Sequence, residues 1–400
     1  MGISGQTSAT SLVPRLLGEL QLPHDLPVGG TPVGGLSGID RDRRTGRYLM
    51  ISDDQSQRAP ARFYEAEIDV DDAGVHGVRF TRVQYFHRPD GKVYPSRTQW
   101  AGEQHTYSQA DRNRLGTVDP EDIRVDPWTG NVVWAHEGLD LVTPGGEPMI
   151  TDPALRVATP DGSFLRDLPT PTGQLIGDGE GPQANRALEG FTFADEGHLI
   201  ASVVEGPLEQ DGAEPTRTHG ALSRITLQDR DGTVVAQYAY PMDPLPDVTP
   251  EGPYGALIGI STILAFDPAT PTRFLLVERA FVSGYGRRIR IYDADCADAT
   301  NVATVASLVD EPVSPVRKTL VADLEQIGVT DPDNFEGMTW GPQLAGGERT
   351  LLLVSDNDFR AELRTRIVAL ALTEHFTTHA ALTSTPSAGS PAERRHRRSI

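Results

Sequence analysis

Pairs of acidic residues recur along this chain at a nearly constant spacing. In one example Glu336-Gly337 begins a short alternating run, a Gly-rich turn follows, and Asp356 ends a second apolar run. This pattern is typical of a β-hairpin, whose antiparallel strands bring the start of the first and the end of the second to one edge. We therefore predict that Glu336 and Asp356 are spatial neighbours, although they are 20 positions apart in sequence.

The same pattern occurs five times, with a Gly or Pro turn in the middle of each copy. The opening and closing positions are 16 residues apart in the first three copies and 17 apart in the fourth. The acidic pairs are Glu121 with Glu137, Glu189 with Glu205, and Glu336 with Asp356, while the closing acids Asp53 and Glu278 face the opening residues Ser37 and Ser261. The chain therefore contains an internal repeat that brings acids together.

Further short strands follow each hairpin, so that each repeat holds about four. In the first repeat they are residues 61–68 and 77–83. Five repeats of four strands predict an all-β fold, a five-bladed β-propeller. The last repeat lacks its fourth strand, and residues 16–22 supply a spare one. We therefore predict that residues 16–22 pair with residues 366–372 and close the ring.

The rest of the chain is predicted to be one domain with an insertion. The propeller spans residues 16–373, and residues 87–118 form a polar inserted loop that lacks a strand period. Six blades are the alternative if this insertion hides a degenerate repeat. Residues 1–15 are expected to be disordered, and so are residues 374–400, which are rich in Thr, Ser, Ala and Pro and have a basic end.

The first strand of each propeller blade lines the central channel, so the repeated acids should converge at one channel mouth. Crowded carboxylates repel one another unless cations compensate their charge. Oxygen ligands from several loops suit Ca²⁺ better than Zn²⁺ or copper. The alternative is that each acid accepts hydrogen bonds from backbone amides and orients a turn. The predicted metal ligands are Asp53, Glu121, Glu137, Glu189, Glu205, Glu278, Glu336 and Asp356.

Other residues are weaker candidates for chemistry. Asp126, Asp195 and Asp267 belong to the hairpin turns, which lie at the opposite face, and their Asp-Pro and Thr-Gly neighbours are typical of turns. His136, beside Glu137, could act as a general acid or a ligand, or could simply pack in the interior. No sequence motif for a P-loop, a zinc protease or a serine hydrolase occurs.

Charge and cysteine content exclude several kinds of partner and site. Acids outnumber bases 56 to 36, and a net charge of −20 repels nucleic acid and anionic membranes. Cys296 is the only cysteine, so neither an intramolecular disulfide nor a cysteine-based zinc site is expected. Residues 1–23 lack a basic region followed by an apolar stretch, so no export signal is expected and the sequence as written predicts a cytoplasmic protein.

A series of motifs in fixed order resembles the phytase-like family, also described as the "esterase-like activity of phytase" domain. The motifs are Gly35-Leu36-Ser37-Gly38-Ile39, Ser52-Asp53-Asp54, Asp119-Pro120-Glu121-Asp122, Leu188-Glu189-Gly190-Phe191 and Asn334-Phe335-Glu336-Gly337-Met338. The resemblance covers about residues 30–373. It implies a β-propeller and a metal-dependent phosphoester hydrolase that is commonly exported. The fourth repeat departs from the pattern, because Ser261-Thr262 stands where other repeats have Glu-Gly.

The residues and the resemblance together lead to three functional hypotheses. The leading one is a calcium-dependent phosphoesterase acting on a small phosphorylated substrate at the acidic mouth. The others are a non-catalytic propeller that binds a ligand or serves as a scaffold, and a calcium-dependent esterase or lactonase. Under the leading hypothesis the catalytic candidates are Glu189, Glu336 and His136, and the candidates for holding phosphate oxygens are Arg62, Arg279, Arg97 and Lys92.

Overall fold

Five four-stranded antiparallel sheets form the protein in a computed structural model that describes residues 8–143, 145–309 and 311–378. The innermost strand of each sheet contacts the innermost strand of the next, and the fifth contacts the first. The sheets are therefore the blades of a closed propeller, as predicted. Five blades account for every four-stranded sheet in the described part of the chain, so the six-bladed alternative is wrong.

The N-terminal half of the chain supplies the closing strand, blade 1 and blade 2. The chain begins with β1 (Ser8–Gln21) and a small hairpin of β2 (Pro27–Val28) and β3 (Thr31–Pro32). Blade 1 contains β4 (Leu36–Arg41), β5 (Tyr48–Ser52), β6 (Arg62–Asp71) and β7 (Gly74–Tyr85). Blade 2 begins with β8 (Pro120–Val125) and β9 (Val132–His136), continues through an added hairpin of β10 (Leu139–Val142) and β11 (Pro148–Thr151), and ends with β12 (Ala154–Ala158) and β13 (Phe164–Leu168).

The C-terminal half supplies the other three blades. Blade 3 contains β14 (Leu188–Ala194), β15 (Leu199–Val204), β16 (Leu222–Asp229) and β17 (Val234–Pro241). Blade 4 contains β18 (Ala256–Ala265), β19 (Arg273–Val282), β20 (Gly286–Asp295) and β21 (Arg317–Asp323). Blade 5 contains β22 (Asn334–Gln343), β23 (Arg349–Asp356) and β24 (Arg366–Thr378), and β1 completes it.

The ring is closed by pairing between the two ends of the chain. β1 runs antiparallel to β24, with Leu16 opposite Leu370 and Gln21 opposite Arg366, which confirms the predicted closure. The pairing extends beyond the predicted strands, with residues 8–15 opposite residues 371–378, so the predicted disorder of residues 8–15 and 374–378 is wrong. Residues 1–7 and 379–400, also predicted to be disordered, lie outside the described residues.

The insertion between blades 1 and 2 is not the irregular loop that its sequence predicts. It contains the short helices α1 (Arg97–Glu103) and α2 (Gln109–Leu115), joined by a 3₁₀ turn. Ser96 begins α1 with a capping box, and Trp100 from α1 packs with Leu139 and Met149 of the added hairpin. No helix in the described part of the chain has both the length and the apolar character needed to cross a bilayer.

The hydrophobic core lies between neighbouring blades, where each sheet is covered on both faces. Leu275 and Val277 of blade 4, for example, share a cluster with Leu351 and Leu353 of blade 5. This double coverage explains why second strands such as β9, β15 and β23 are runs of buried, mostly apolar residues. Each buried side chain of this size stabilises the fold by about 1.5–3 kcal/mol, so the blades form a rigid frame around the channel.

Candidate metal centre at the channel mouth

A β-bulge occupies the opening position of the repeat in every blade. In blade 3, Leu188 pairs with Val204 and Gly190 pairs with Val203, so that Glu189 has no partner across the strands. The same interruption occurs at Ser37, Glu121, Ser261 and Glu336. A bulge turns the side chain of the extra residue away from the regular pleat. The repeated Glu or Ser is therefore the residue that each first strand redirects at the channel.

The residue after the bulge lies against the next blade, which explains the repeated glycine. A β-carbon at Gly38 would lie 2.7 Å from the Cα of Asp122, and one at Gly190 would lie 2.9 Å from the Cα of Thr262. Both positions contact backbone, so the neighbouring strand would have to move to admit a side chain. The Glu-Gly pairs thus combine a redirected acid with close contact between first strands at the axis.

The closing position lies opposite the residue two places before the bulge. Glu205 N donates to the carbonyl of Ala187 (2.8 Å), and Glu137 N donates to that of Asp119 (3.1 Å). Asp53 and Asp356 occupy the same register in blades 1 and 5. The structure therefore brings the predicted closing acids of four blades to one mouth, together with the opening acids Glu121, Glu189 and Glu336.

Blade 4 departs from this register, and the prediction for Glu278 is wrong. Its hairpin is one residue longer, so Arg279 takes the closing position, opposite Gly259. Glu278 points between the blades, where its carboxylate accepts hydrogen bonds from Tyr240 Oη (2.9 Å) and Lys318 Nζ (2.5 Å). The spacing of 17 instead of 16 is the sequence sign of this shift.

Three carboxylates at the mouth are close enough to share one ion. One oxygen each from Asp53, Asp119 and Glu121 lies within 4.8 Å of the others, with Asp53 partly exposed and the other two buried. Calcium binds oxygens at 2.3–2.6 Å, so two ligands of one ion are at most about 5 Å apart. The three residues could therefore hold one metal ion. Sequence reasoning missed Asp119, which stands two residues before Glu121, in the register position of Asn334.

Burial and mutual repulsion raise the pKa of the mouth acids. Removal from water, followed by the charge of neighbouring carboxylates, raises the pKa of Asp53, Glu121, Glu137, Glu189 and Asp356 well above the usual range. Burial raises the pKa of Glu336 to about 7, although Arg279 opposes the shift. Some of these groups therefore hold protons at neutral pH unless a cation replaces the protons.

Arginines compensate one side of the mouth but not the other. The Arg279 guanidinium lies 3.2 Å from Glu205 and 3.3 Å from Glu336, and Arg186 lies 3.3 Å from Glu205. On the side of blades 1 and 2, by contrast, the described residues provide no arginine or lysine within 4 Å of Asp53, Asp119 or Glu121. The mouth thus consists of an arginine-lined half, in which guanidinium groups pair with Glu205 and Glu336, and an acidic half, in which Asp53, Asp119 and Glu121 have no described arginine or lysine within 4 Å.

Two of the predicted phosphate-binding residues lie near the mouth. Arg279 belongs to the arginine-lined half, where it also donates to Asn334 Oδ1 (2.6 Å). Arg97, in α1, donates to Gln55 Oε1 (3.0 Å), and Gln55 in turn donates to Asp119 (2.6 Å). The insertion therefore contacts the acidic half through Gln55.

The other two predicted phosphate-binding residues make no contact with the mouth acids in the described part of the chain. Arg62 is buried within blade 1, where it pairs with Asp54 (2.6 Å) and donates to Tyr64 Oη (2.7 Å). Its charge is therefore already neutralised by Asp54. Lys92 is exposed in a turn of the insertion, where its backbone NH donates to Asp90 (3.2 Å).

His136 is buried inside blade 2, facing away from the mouth. Successive side chains on a strand point to opposite sides, so when Glu137 faces the mouth His136 cannot. Its Nδ1 accepts from Gly138 N (3.1 Å), and its ring packs near Trp134. Burial, with the charge of Arg156, lowers the pKa of His136 well below its usual value. This placement does not support the predicted role as a general acid and matches the packed alternative.

The turn acids lie at the opposite end of the blades and make local contacts. Asp126 accepts from Trp128 N (2.9 Å) and binds Arg230. Asp267 accepts from Ala269 N (2.8 Å). These contacts are those of residues that shape turns, as predicted.

Comparison with known proteins supports the sequence resemblance. The family model described as "Phytase-like: Esterase-like activity of phytase" matches residues 31–359. A search of curated proteins found no match.

Similar solved structures share little sequence with this chain. A bifunctional GH43-CE protein of Bacteroides eggerthii is 12% identical with a TM-score of 0.41, and the alignment covers 87% of this chain and 34% of that one, so this chain spans about a third of its length. The Cps50 (Swd1) β-propeller domain of Myceliophteria thermophila is 12% identical with a TM-score of 0.38, covering 90% and 100%. A DUF4221 protein of Bacteroides vulgatus is 9% identical with a TM-score of 0.38, covering 92% and 99%.

Proposed function

This chain belongs to the phytase-like family, and from that premise we propose that it is a calcium-dependent hydrolase of small phosphoesters. The observation that carries the proposal is the uncompensated group of Asp53, Asp119 and Glu121, in which one oxygen from each residue lies within 4.8 Å of the others. A calcium ion bound there would neutralise phosphate charge and lower the pKa of a bound water. The arginine-lined half beside it would supply donors for the anionic substrate.

Arg279 and Arg287 are the residues that would orient the phosphate. Both donate to Asn334 Oδ1, at 2.6 and 3.1 Å, so one amide holds two guanidinium groups at the edge of the mouth. Arg279 is also paired with Glu205 and Glu336, whereas the described residues place no carboxylate within 4 Å of Arg287. The remaining NH groups of Arg287 are therefore free to donate to phosphate oxygens.

Glu336 and Glu189 are the residues that would move protons. The pKa of Glu336, raised by burial to about 7, lies near neutral pH, where a carboxyl group can both donate and accept a proton. In the proposed reaction Glu336 donates a proton to the leaving alcohol. Glu189, whose pKa is raised by burial and by the charge of Glu205, is the second carboxyl group that could transfer a proton in this reaction.

A second candidate function follows from how deeply the acids are buried. Glu121, Glu189 and Glu336 are only 6–7% exposed, and Asp356 is 2% exposed. An ion bound among them would join blades at the axis of the propeller and be inaccessible to a large substrate. This burial favours a non-catalytic propeller that calcium stabilises.

One assay distinguishes these functions. Phosphate release from p-nitrophenyl phosphate and inositol hexakisphosphate is measured with calcium and with a chelator, beside hydrolysis of p-nitrophenyl acetate and a simple lactone. We expect calcium-dependent phosphate release that is reduced at least about ten-fold in Asp119→Asn, a loss typical of a metal-site group. Asp267→Asn, in a turn, is the control. Activity on the acetate or lactone alone would establish an esterase, and calcium-dependent stability with no hydrolysis would establish the stabilised scaffold.

A further inference from the structure

A cavity lies at the end of the channel opposite the acidic mouth, on the face formed by the hairpin turns. Its volume is about 310 Å³, and the turns of blades 1 to 4 contribute to its rim. Arg124 closes its inner end by donating to the carbonyls of Ile39 (2.6 Å), Phe191 (2.8 Å) and Ile263 (3.2 Å), which belong to three other blades. The cavity is therefore separated from the acidic mouth by a buried guanidinium.

Two of the four carboxylates that line this cavity are paired with arginines. Asp42 binds Arg44 at 3.0 Å, and Asp126 binds Arg230. Asp40, at the inner end, accepts from Val125 N (2.8 Å) and from Thr339 Oγ1 (3.1 Å).

Two arginines of the lining have no such partner. In the described part of the chain no carboxylate lies within 4 Å of Arg41 or Arg43, although both side chains line the cavity. The Nε of Arg41 is buried and makes no hydrogen bond with the described residues. Among the described residues, Asp40 and Glu196 are the lining carboxylates without an ion pair. The lining thus holds four arginines and four carboxylates, and Arg41 and Arg43 are the two of these arginines that no described carboxylate neutralises.

The walls of the cavity are apolar and rigid. Phe193, Leu264 and Trp340 contribute to them. The Trp340 indole donates to the carbonyl of Ala265 (2.9 Å), and the Arg349 guanidinium lies 3.5 Å above its ring centroid. The largest aromatic surface of the cavity is therefore held in place from both its edge and its face.

We propose that this cavity binds a small organic anion whose carboxylate or phosphate group contacts Arg41 and Arg43 and whose apolar body packs against Trp340. Guanidinium groups bind both kinds of anion through paired hydrogen bonds. The volume is at the lower end of the roughly 300–1,000 Å³ typical of small-molecule sites. The site is independent of the function proposed above, because it lies on the other side of Arg124.

Calorimetric titration of the full chain in the presence of a chelator tests this proposal. The probes are 2-naphthoate and 2-naphthyl phosphate, with 2-naphthalenemethanol as the uncharged control. We expect saturable binding of one anion per chain, at least ten-fold tighter than binding of the alcohol, and the tighter anion identifies the preferred head group. No saturable binding of either anion, or equal binding of the alcohol, would overturn the proposal.

Variants locate the site. Arg41→Gln should weaken binding at least ten-fold, whereas Arg47→Gln, which removes an exposed arginine paired with Glu65 outside the cavity, should leave it unchanged. Arg43→Gln, on an exposed side chain, provides the test if Arg41→Gln does not fold. Equal losses in Arg43→Gln and Arg47→Gln, or a loss in Glu189→Gln that matches theirs, would show that the anion binds elsewhere.

Discussion

The mouth acids differ from the turn acids in what surrounds each carboxylate. Glu189 has buried acids around it, and burial with the charge of Glu205 raises its pKa well above the usual range. Burial acts to raise the pKa of Asp126, but its pairing with Arg230 and its two backbone hydrogen bonds outweigh burial and lower the pKa. Removing charge from the first group relieves repulsion, whereas removing it from the second breaks satisfied contacts.

Charge-removing variants should therefore separate activity from stability. Glu189→Gln and Glu336→Gln should each reduce turnover by about ten-fold or more, because they remove groups of the proposed site. Their stability without calcium should be unchanged or higher. Asp126→Asn and Asp195→Asn should keep turnover and lose at most about 1 kcal/mol of stability. Hydrolysis rates, calcium affinity and denaturant unfolding of all four variants test this, and equal losses of turnover on both faces would contradict it.

Among the elements, the first strand of each blade carries the opening residue of the repeat and lies in close contact with the first strand of the next blade. The bulge redirects the acid, and the glycine after it lets neighbouring strands approach the axis. Gly190→Ala should therefore destabilise the protein, since overpacking typically costs about 1–3 kcal/mol. Gly77→Ala is the matched control, because nothing lies within 4 Å of a β-carbon at that strand position. Denaturant unfolding measures both, and equal effects would show that the axis tolerates a side chain.

Most of this arrangement could be predicted from the sequence, because the interval between two residues of a hairpin indicates which residues of its strands lie opposite each other. A constant interval between Glu189 and Glu205 is enough to place both at one sheet edge. The same reasoning failed at Glu278, where one extra residue shifts the hairpin and brings Arg279 to the mouth. Asp119 escaped notice because it precedes β8 and its bulge, and because an acid occupies this position in one blade only.

The insertion escaped prediction for another reason. Its helices are seven residues each, too short for an amphipathic period to show. Ser96 with Gln99, a capping box, and Ser108 with Asp111 are the local signals that mark their starts.

For the whole molecule, the acidic mouth links stability to pH and calcium. The mouth acids hold protons in the folded protein to a higher pH than in the unfolded chain, where carboxyl groups titrate near 4. Between those values the unfolded state binds fewer protons, so stability must fall as pH rises. For Glu336 this window runs from about 4.5 to about 7.

We therefore expect the chelator-treated protein to melt at a lower temperature at pH 7.5 than at pH 5.5. Millimolar calcium should remove this fall, because an ion bound only by the folded state stabilises it by RT ln(1 + [L]/Kd), about 2.7 kcal/mol at 100 times Kd. Sodium chloride at equal ionic strength is the control for screening. Calorimetric melting curves at both pH values, with and without calcium, are the measurement. A melting temperature that rises with pH in chelator, or that ignores calcium, would mean that arginines and backbone amides already satisfy the mouth acids.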